Sequence, residues 1–285
     1  MSASLHFVGV ALAVLAGLVV GNVLNHWVTR LPLHLQARWR AECRDYLGLP
    51  TADAQQQAGA DIDTMQTKPC SASNQGWLAH LPLLGWWLLR RRCAAAEQPL
   101  SWRYPLLELL PGLVFALLYG LGGISVTTLL SAVCLTAWLT LACMDWETTL
   151  LPDAIVLPLL WAGLLAASLG WSGTALHDAV WGAALGYGML WSVYQLYKWW
   201  SGKEGMGHGD FKLLAAMGAW LGWPALFTVL MVASISGALV GGWLMWRGRL
   251  TRGQYLPFGP FLVLGGLVAW GLRWTAHGVF AIGML

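Results

Sequence analysis

Charge is what this 285-residue chain has least of: only 10% of its residues are Asp, Glu, Lys or Arg, where a soluble globular chain carries about a quarter. The few charges nearly balance, 16 basic against 13 acidic, which gives no basis for nucleic-acid binding. Five cysteines are too few for a secreted scaffold built on disulfides. No internal repeat and no low-complexity tract interrupts the sequence. Hydrophobic residues make up 58% of it and the mean hydropathy is +0.59, which excludes a disordered tail and an ordinary soluble enzyme. A polytopic membrane protein remains. The 20 tryptophans fit a chain that meets lipid headgroups, where indole rings settle.

A spanning helix needs roughly 20 apolar residues to cross a hydrocarbon core of about 30 Å. Stretches of that kind lie near 7–28, 104–122, 124–144, 152–170, 179–199, 210–223, 224–246 and 256–280. The sixth is short and opens on charged residues. The first has no small-residue cleavage site behind a basic region, so it reads as a retained helix and not as a signal peptide. The expectation is an all-α polytopic membrane protein of about eight transmembrane helices, with one loop domain between the first two. Residues 1–29 form the first helix, 30–103 the loop domain and 104–285 the membrane core.

The loop domain holds nine basic residues, among them Arg38, Arg40, Arg44, Lys68 and the run Arg90-Arg91-Arg92. Cytoplasmic loops collect Lys and Arg, which places this domain in the cytoplasm and the N-terminus in the periplasm. Alternating the spans from there puts 15 of the 16 basic residues on the cytoplasmic side and leaves Arg273 alone outside. Residues 45–69 read as a flexible surface stretch. The apolar run 76–89 is too short to span and suits a membrane-surface anchor.

An ionised carboxylate is expensive to remove from water, so acids close to the spans are functional candidates. They are Glu108, Asp145, Glu147, Asp153 and Asp210. The expected topology puts Asp145, Asp153 and Asp210 at one depth, each at a cytoplasmic helix end. Two facing carboxylates suit peptide hydrolysis without a metal, because their repulsion separates the two titrations and lets acid and base coexist. Asp153, in Leu151-Pro152-Asp153, reads instead as a helix cap. Asp145 ends a helix, where the dipole disfavours a negative charge, so capping explains it poorly.

Asp210 follows the loop Gly205-Met206-Gly207-His208-Gly209, whose alternating glycines permit positive φ and close backbone approach. A phosphate loop is a poor alternative, since there is no GxxxxGK[ST] and the closing acid repels phosphate. His208 reads as a solvated loop histidine. Glu108 reads as one half of a polar contact between helices, and Asn25 as a residue bonded across helices. For Lys212 two roles stand open, supporting the charge of Asp210 or meeting lipid headgroups.

Taken together these segments resemble the type IV prepilin peptidase family, aspartic proteases of the bacterial inner membrane. Gly21-Asn22-Val23-Leu24-Asn25 through Thr29-Arg30-Leu31-Pro32, Ser101-Trp102-Arg103-Tyr104-Pro105 through Glu108, and Leu150-Leu151-Pro152-Asp153 carry the likeness. Gly205 to Ala216, with its GxGD, is the most specific stretch, and Pro257-Phe258-Gly259-Pro260-Phe261 closes it. The resemblance implies Asp145 and Asp210 as the catalytic pair. It implies prepilin or pseudopilin substrates of type IV pilus or type II secretion systems, cut at the cytoplasmic face behind a basic leader. The residue before the cut is then a glycine, and the one after it usually phenylalanine. It also implies N-methylation of the new terminus with S-adenosylmethionine, although no segment resembles a Rossmann site for that cofactor. The rival readings are a peptidase without methylation and a transporter whose acids carry protons or cations.

One departure from the family is plain. Many members carry two CxxC pairs in the loop domain, the pattern of a tetrathiolate zinc site. Here Cys70-Ser71-Ala72-Ser73 and Cys93-Ala94-Ala95-Ala96 stand in their place. Even with Cys43 only three thiols remain, and His80 is an unconvincing fourth ligand, so no metal is expected. Cys134 and Cys143 read as small apolar residues within a span.

Overall fold

The computed structural model describes residues 3–48, 103–202, 205–249 and 256–282, so Cys70, His80, Cys93 and the segment 76–89 lie outside the described residues. The described residues form helices and no strand. The chain divides into two compact units, Met1–Ile124 and Ser125–Leu285.

The first unit contains α1 (Ala3–Tyr46) and α2 (Arg103–Gly122). α1 has 44 residues, about 66 Å at 1.5 Å per residue, more than twice a hydrocarbon core. It therefore does not stop near residue 29. It continues through the basic segment, where Arg38 pairs with Glu42 at the i,i+4 spacing that supports an exposed helix. The two helices lie backbone to backbone: a Cβ at Gly21 would fall 2.8 Å from the Glu108 Cα. At the same crossing the buried Asn25 Nδ2 donates to Glu108 Oε1 at 3.4 Å.

The second unit contains α3 (Val126–Thr148), α4 (Asp153–Ser168), α5 (Leu176–Ser201), α6 (His208–Leu221), α7 (Trp223–Trp246) and α8 (Gly259–Ile282). Each of the eight apolar stretches in the sequence overlaps one described helix, α1 to α8, with different bounds. Among the described residues, segments within three helices are long and apolar enough to cross a membrane: His6–Asn25, Val126–Thr148 and Trp223–Trp246. Leu106–Gly122 and Asp153–Ser168 are shorter apolar helices. Large apolar side chains such as Leu12 and Val19 on α1, or Phe227 and Leu239 on α7, face outward, the pattern of a surface bathed in lipid and not water.

α6 is the axis of the second unit. It has only 14 residues, and from Asp210 to Leu221 all but Lys212 are buried. A helix that is apolar all round must be enclosed, and α4, α5, α7 and α8 pack around it. Small residues permit the approach. Cβ atoms at Gly182 of α5 and Gly218 of α6 would each overlap the opposite backbone, and one at Gly163 of α4 would lie 2.8 Å from the Trp220 indole. That indole donates from Nε1 to the Leu159 carbonyl at 2.9 Å.

The last carbonyls of a helix have no intrahelical partner, and those of α6 are taken by side chains. Thr174 Oγ1 donates to the Trp220 carbonyl at 2.7 Å. Arg273 Nη1, from α8, reaches the Trp220 and Leu221 carbonyls at 3.3 and 3.2 Å and Thr174 Oγ1 at 2.6 Å. Gly222 then reverses the chain into α7 at φ 83°.

Candidate active site

Asp145 lies in the last turn of α3. That helix ends four residues later because Thr149 turns left-handed, at φ 54° and ψ 27°, while its N–H donates to the Asp145 carbonyl at 2.8 Å. Thr149 is the only non-glycine residue with positive φ among those described. A β-branched residue held there costs about 1–3 kcal/mol, a strain that gathers at functional sites.

The linker Leu150-Leu151-Pro152 then carries the chain past the start of α6, where a Cβ on Gly209 would sit 2.8 Å from Leu151 Cβ. Gly205 is pressed in the same way against the Tyr197 ring, 2.7 Å from a Cβ position. None of Gly205, Gly207 and Gly209 has positive φ, so at 205 and 209 the glycines provide space and not an unusual backbone. Gly207 is the N-cap of α6 in an extended conformation, without a side-chain cap.

Asp210 is the third residue of α6, and both Asp145 and Asp210 are 2% exposed. The two carboxylates are electrostatic neighbours. Asp145 Oδ2 accepts the Gly259 N–H at 2.9 Å. Gly259 opens α8, and a Cβ there would stand 2.6 Å from that oxygen. Glycine is therefore the residue that lets the α8 backbone reach the acid. Asp145 sits at the unfavourable end of its own helix, but its carboxylate faces the favourable start of another. Both carboxylates thus lie at helix N-termini, whose partial positive charge offsets part of the cost of burying them. Asp210 Oδ1 is buried with no hydrogen-bond partner among the described residues. A buried carboxylate with one oxygen uncommitted among the described residues can hold a proton.

The other candidate residues divide between neighbours of this pair and residues elsewhere. Asp153 does not cap α4. Pro152 is the N-cap, without a side-chain bond, and Asp153 is the first helical residue. Both its oxygens accept Lys212 Nζ, at 2.8 and 2.7 Å, since a cation on the facing helix competes better than orphan amides. Lys212 is accordingly directed to Asp153. His208, the first residue of α6, is exposed, with its ring against Tyr194 and Phe211. Glu147 is exposed. Glu108 and Asn25 contact each other within the first unit. Gly259 is the residue that reading the sequence left without a role. Its signal was present as a glycine between Pro257-Phe258 and Pro260 at a helix start, but nothing local names a partner 114 residues away.

Cavities in the second unit include two among the described residues. One, of about 180 Å³, lies among Trp138, Trp220, Trp270, Trp274 and Arg273. The other, of about 250 Å³, lies between the loop before Asp210 and the segment before Gly259. Among the described residues neither is lined by a carboxylate to hold a ribose diol or face a sulfonium. They do not fit S-adenosylmethionine, and no methyl-transfer step is assigned to described residues. Among the described residues no three His, Cys, Asp or Glu side chains cluster as metal ligands.

Residues 132–242 match the type IV leader peptidase family, and residues 15–121 match the bacterial peptidase A24 N-terminal domain. The first span contains Asp145 and Asp210, and the second contains Asn25 and Glu108. The chain is similar to the prepilin leader peptidase/N-methyltransferase of Stutzerimonas stutzeri, 40% identical over 268 residues, which cover 93% of this chain and 91% of the relative. Against the protein of the same name from Pseudomonas putida it is 42% identical over 265 residues, 92% of this chain and 91% of the relative. Against that of Aeromonas hydrophila it is 40% identical over 278 residues, 93% and 92%. No solved structure matches.

Proposed function

The chain belongs to the type IV leader peptidase family, and from that membership we propose that it is a membrane aspartic endopeptidase that removes the leader from prepilins or pseudopilins. It is an enzyme of two activities, cleaving the leader and then N-methylating the new terminus with S-adenosylmethionine as methyl donor. The observation that carries the peptidase chemistry is the pair of buried, neighbouring carboxylates, each at the start of a helix.

Asp145 and Asp210 share one proton and titrate as a unit. The ionised member takes a proton from a water molecule, whose oxygen attacks the scissile carbonyl carbon. The protonated member gives its proton to the carbonyl oxygen. The resulting diol collapses, the C–N bond breaks, the leaving nitrogen is protonated from the pair, and the starting state returns. Asp210 Oδ1, which has no hydrogen-bond partner among the described residues, is the natural seat of the shared proton, while the Gly259 N–H fixes Asp145 in place. The Leu151–Gly209 contact and the Asp153–Lys212 pair hold the end of α3 and the start of α6 in register.

The location is the bacterial inner membrane, with eight spans, a periplasmic N-terminus and the acid pair at the cytoplasmic face. The one-sided distribution of Lys and Arg supports this orientation. Prepilins and lipid are the partners. The test is a cleavage assay on the purified full chain in lipid, with a prepilin substrate. The wild type releases the leader and, given S-adenosylmethionine, adds 14 Da to the product (about one methylene). Asp145→Asn and Asp210→Asn release none. Full activity in either variant would sink the assignment, and an unmodified product would leave the peptidase without its second activity.

A further inference from the structure

The cavity of about 180 Å³ beside the C-terminus of α6 is walled by groups that donate hydrogen bonds more readily than they accept them. Thr127, Ser131 and Trp138 line it from one face of α3. From Thr127 to Trp138 that helix rises about 16 Å, so the cavity runs inward from the helix start. Trp138 is fully buried, and its Nε1 has no hydrogen-bond partner among the described residues. An indole N–H only donates, and a buried donor is expensive to leave unsatisfied. α8 supplies the facing wall with Trp270, Trp274 and Arg273, the two indoles stacked with centroids 5.1 Å apart.

Arg273 brings a full positive charge to this space. Its bonds to the Trp220 and Leu221 carbonyls set against it a helix terminus worth only about half an elementary charge. Asp178 is an electrostatic neighbour of Arg273. It does not line the cavity, however, and its Oδ1 accepts Trp223 Nε1 at 3.2 Å. A wall with a cation, an orphan donor, hydroxyls and no carboxylate among the described residues suits an anion that carries several acceptor oxygens.

The surroundings identify the source of that anion. Leu129 and Val133 of α3 and Leu272 of α8 face outward on the two helices that border the cavity, as on the rest of the lipid-facing surface. A cavity of roughly 150 Å³ takes up benzene, so this one has room for a phosphate and an adjoining ester but not for acyl chains. The chains have the outward apolar residues to lie on. In the orientation proposed above, Arg273 is also the one basic residue left at the periplasmic interface, where indoles settle.

We propose that this cavity binds the phosphate and glycerol-ester region of one phospholipid. Arg273 meets the phosphate oxygens, and Trp138 Nε1 and the Ser131 hydroxyl meet an ester carbonyl. The lipid ties α3 to α8 and to the loop at Ser172-Gly173, at the opposite end of α6 from Asp210.

The test is a titration of the full chain, purified in detergent and stripped of lipid. The probes are dihexanoyl phosphatidylglycerol, dihexanoylglycerol and inorganic phosphate, and native mass spectrometry counts the molecules bound to the folded chain. The phospholipid binds saturably at one equivalent. Dihexanoylglycerol, which lacks the phosphate, and inorganic phosphate, which lacks the esters, bind at least about tenfold more weakly. Trp138→Phe removes the orphan donor and keeps an aromatic ring, while Ser131→Leu fills the space from a half-buried position. Each raises the apparent Kd for the phospholipid about fivefold or more. Val133→Leu, on the outward face of the same helix, leaves it within about twofold. Because only the folded species is read, loss of folded protein does not imitate loss of the site. If Trp138→Phe does not fold, Ser131→Leu decides alone. Binding of dihexanoylglycerol or of inorganic phosphate as tight as that of the phospholipid overturns the proposal. So does phospholipid binding without a saturable single equivalent, or binding that the folded variants do not weaken.

Discussion

The two ends of α6 are built to opposite rules. At its C-terminus the exposed carbonyls are saturated: Trp220 and Leu221 receive Thr174 and the Arg273 guanidinium, from a loop and from α8. At its N-terminus no side chain caps the helix, glycines hold the neighbouring chain at contact distance, and Asp210 keeps one buried oxygen without a partner among the described residues. α8 serves both ends, giving Gly259 to the acid pair and Arg273 to the helix terminus. One end is anchored, and the other is where the proposed chemistry takes place. A polar group that must take part in chemistry cannot also be fully satisfied in the resting fold.

Breaking this contrast at the reactive end produces the largest expected effect. Gly259→Ala puts a methyl group 2.6 Å from Asp145 Oδ2, displacing the carboxylate from the α8 backbone. Displacements of this size cost about a hundredfold in rate, so kcat falls by that order while KM and thermal stability change little. Steady-state cleavage and thermal unfolding of the same preparation check both halves.

The anchored end predicts the reverse. Arg273→Gln removes charge-assisted bonds to two carbonyls, each worth about 1.5–3 kcal/mol where the donor is charged. The melting temperature falls, and kcat/KM per folded molecule stays within about twofold. A lost rate at unchanged melting temperature would erase the distinction between the ends.

The smallest effect is expected at Lys212 and Asp153. Their ion pair is short, 2.7 Å, but 32% and 53% of the two side chains is exposed, and such pairs contribute about 0–1 kcal/mol. Lys212→Gln lowers activity by no more than about threefold, and the exchanged pair Asp153→Lys with Lys212→Asp restores it. A larger loss that the exchange does not repair would mean that Lys212 acts on Asp210 directly.

Much of the fold was legible because apolar runs of spanning length are hard to mistake, and Asp145 and Asp210 stood out as candidates because carboxylates are so scarce in such runs. What stayed hidden depended on distant partners. Asp153 looks like a helix cap until Lys212, 59 residues later, is placed beside it. The Gly205 and Gly209 spacing speaks of unusual backbone angles, yet the structure uses it for contact with Tyr197 and Leu151. α1 passes its expected end because charged residues at i,i+4 spacing sustain a helix as well as apolar ones do. Gly259 carries no chemistry of its own, and only its distance to Asp145 reveals its use.

The central claim is that Asp145 and Asp210 act as one catalytic unit. Its most direct test is kcat/KM for prepilin cleavage by Asp145→Asn, Asp210→Asn and the double variant, measured in one lipid preparation. Residues that act as a unit are not additive. The prediction is that each single variant loses at least about a thousandfold and that the double variant is no slower than either. A single variant that keeps more than about a tenth of the wild-type value, or a double variant slower than both singles by the product of their losses, would contradict it.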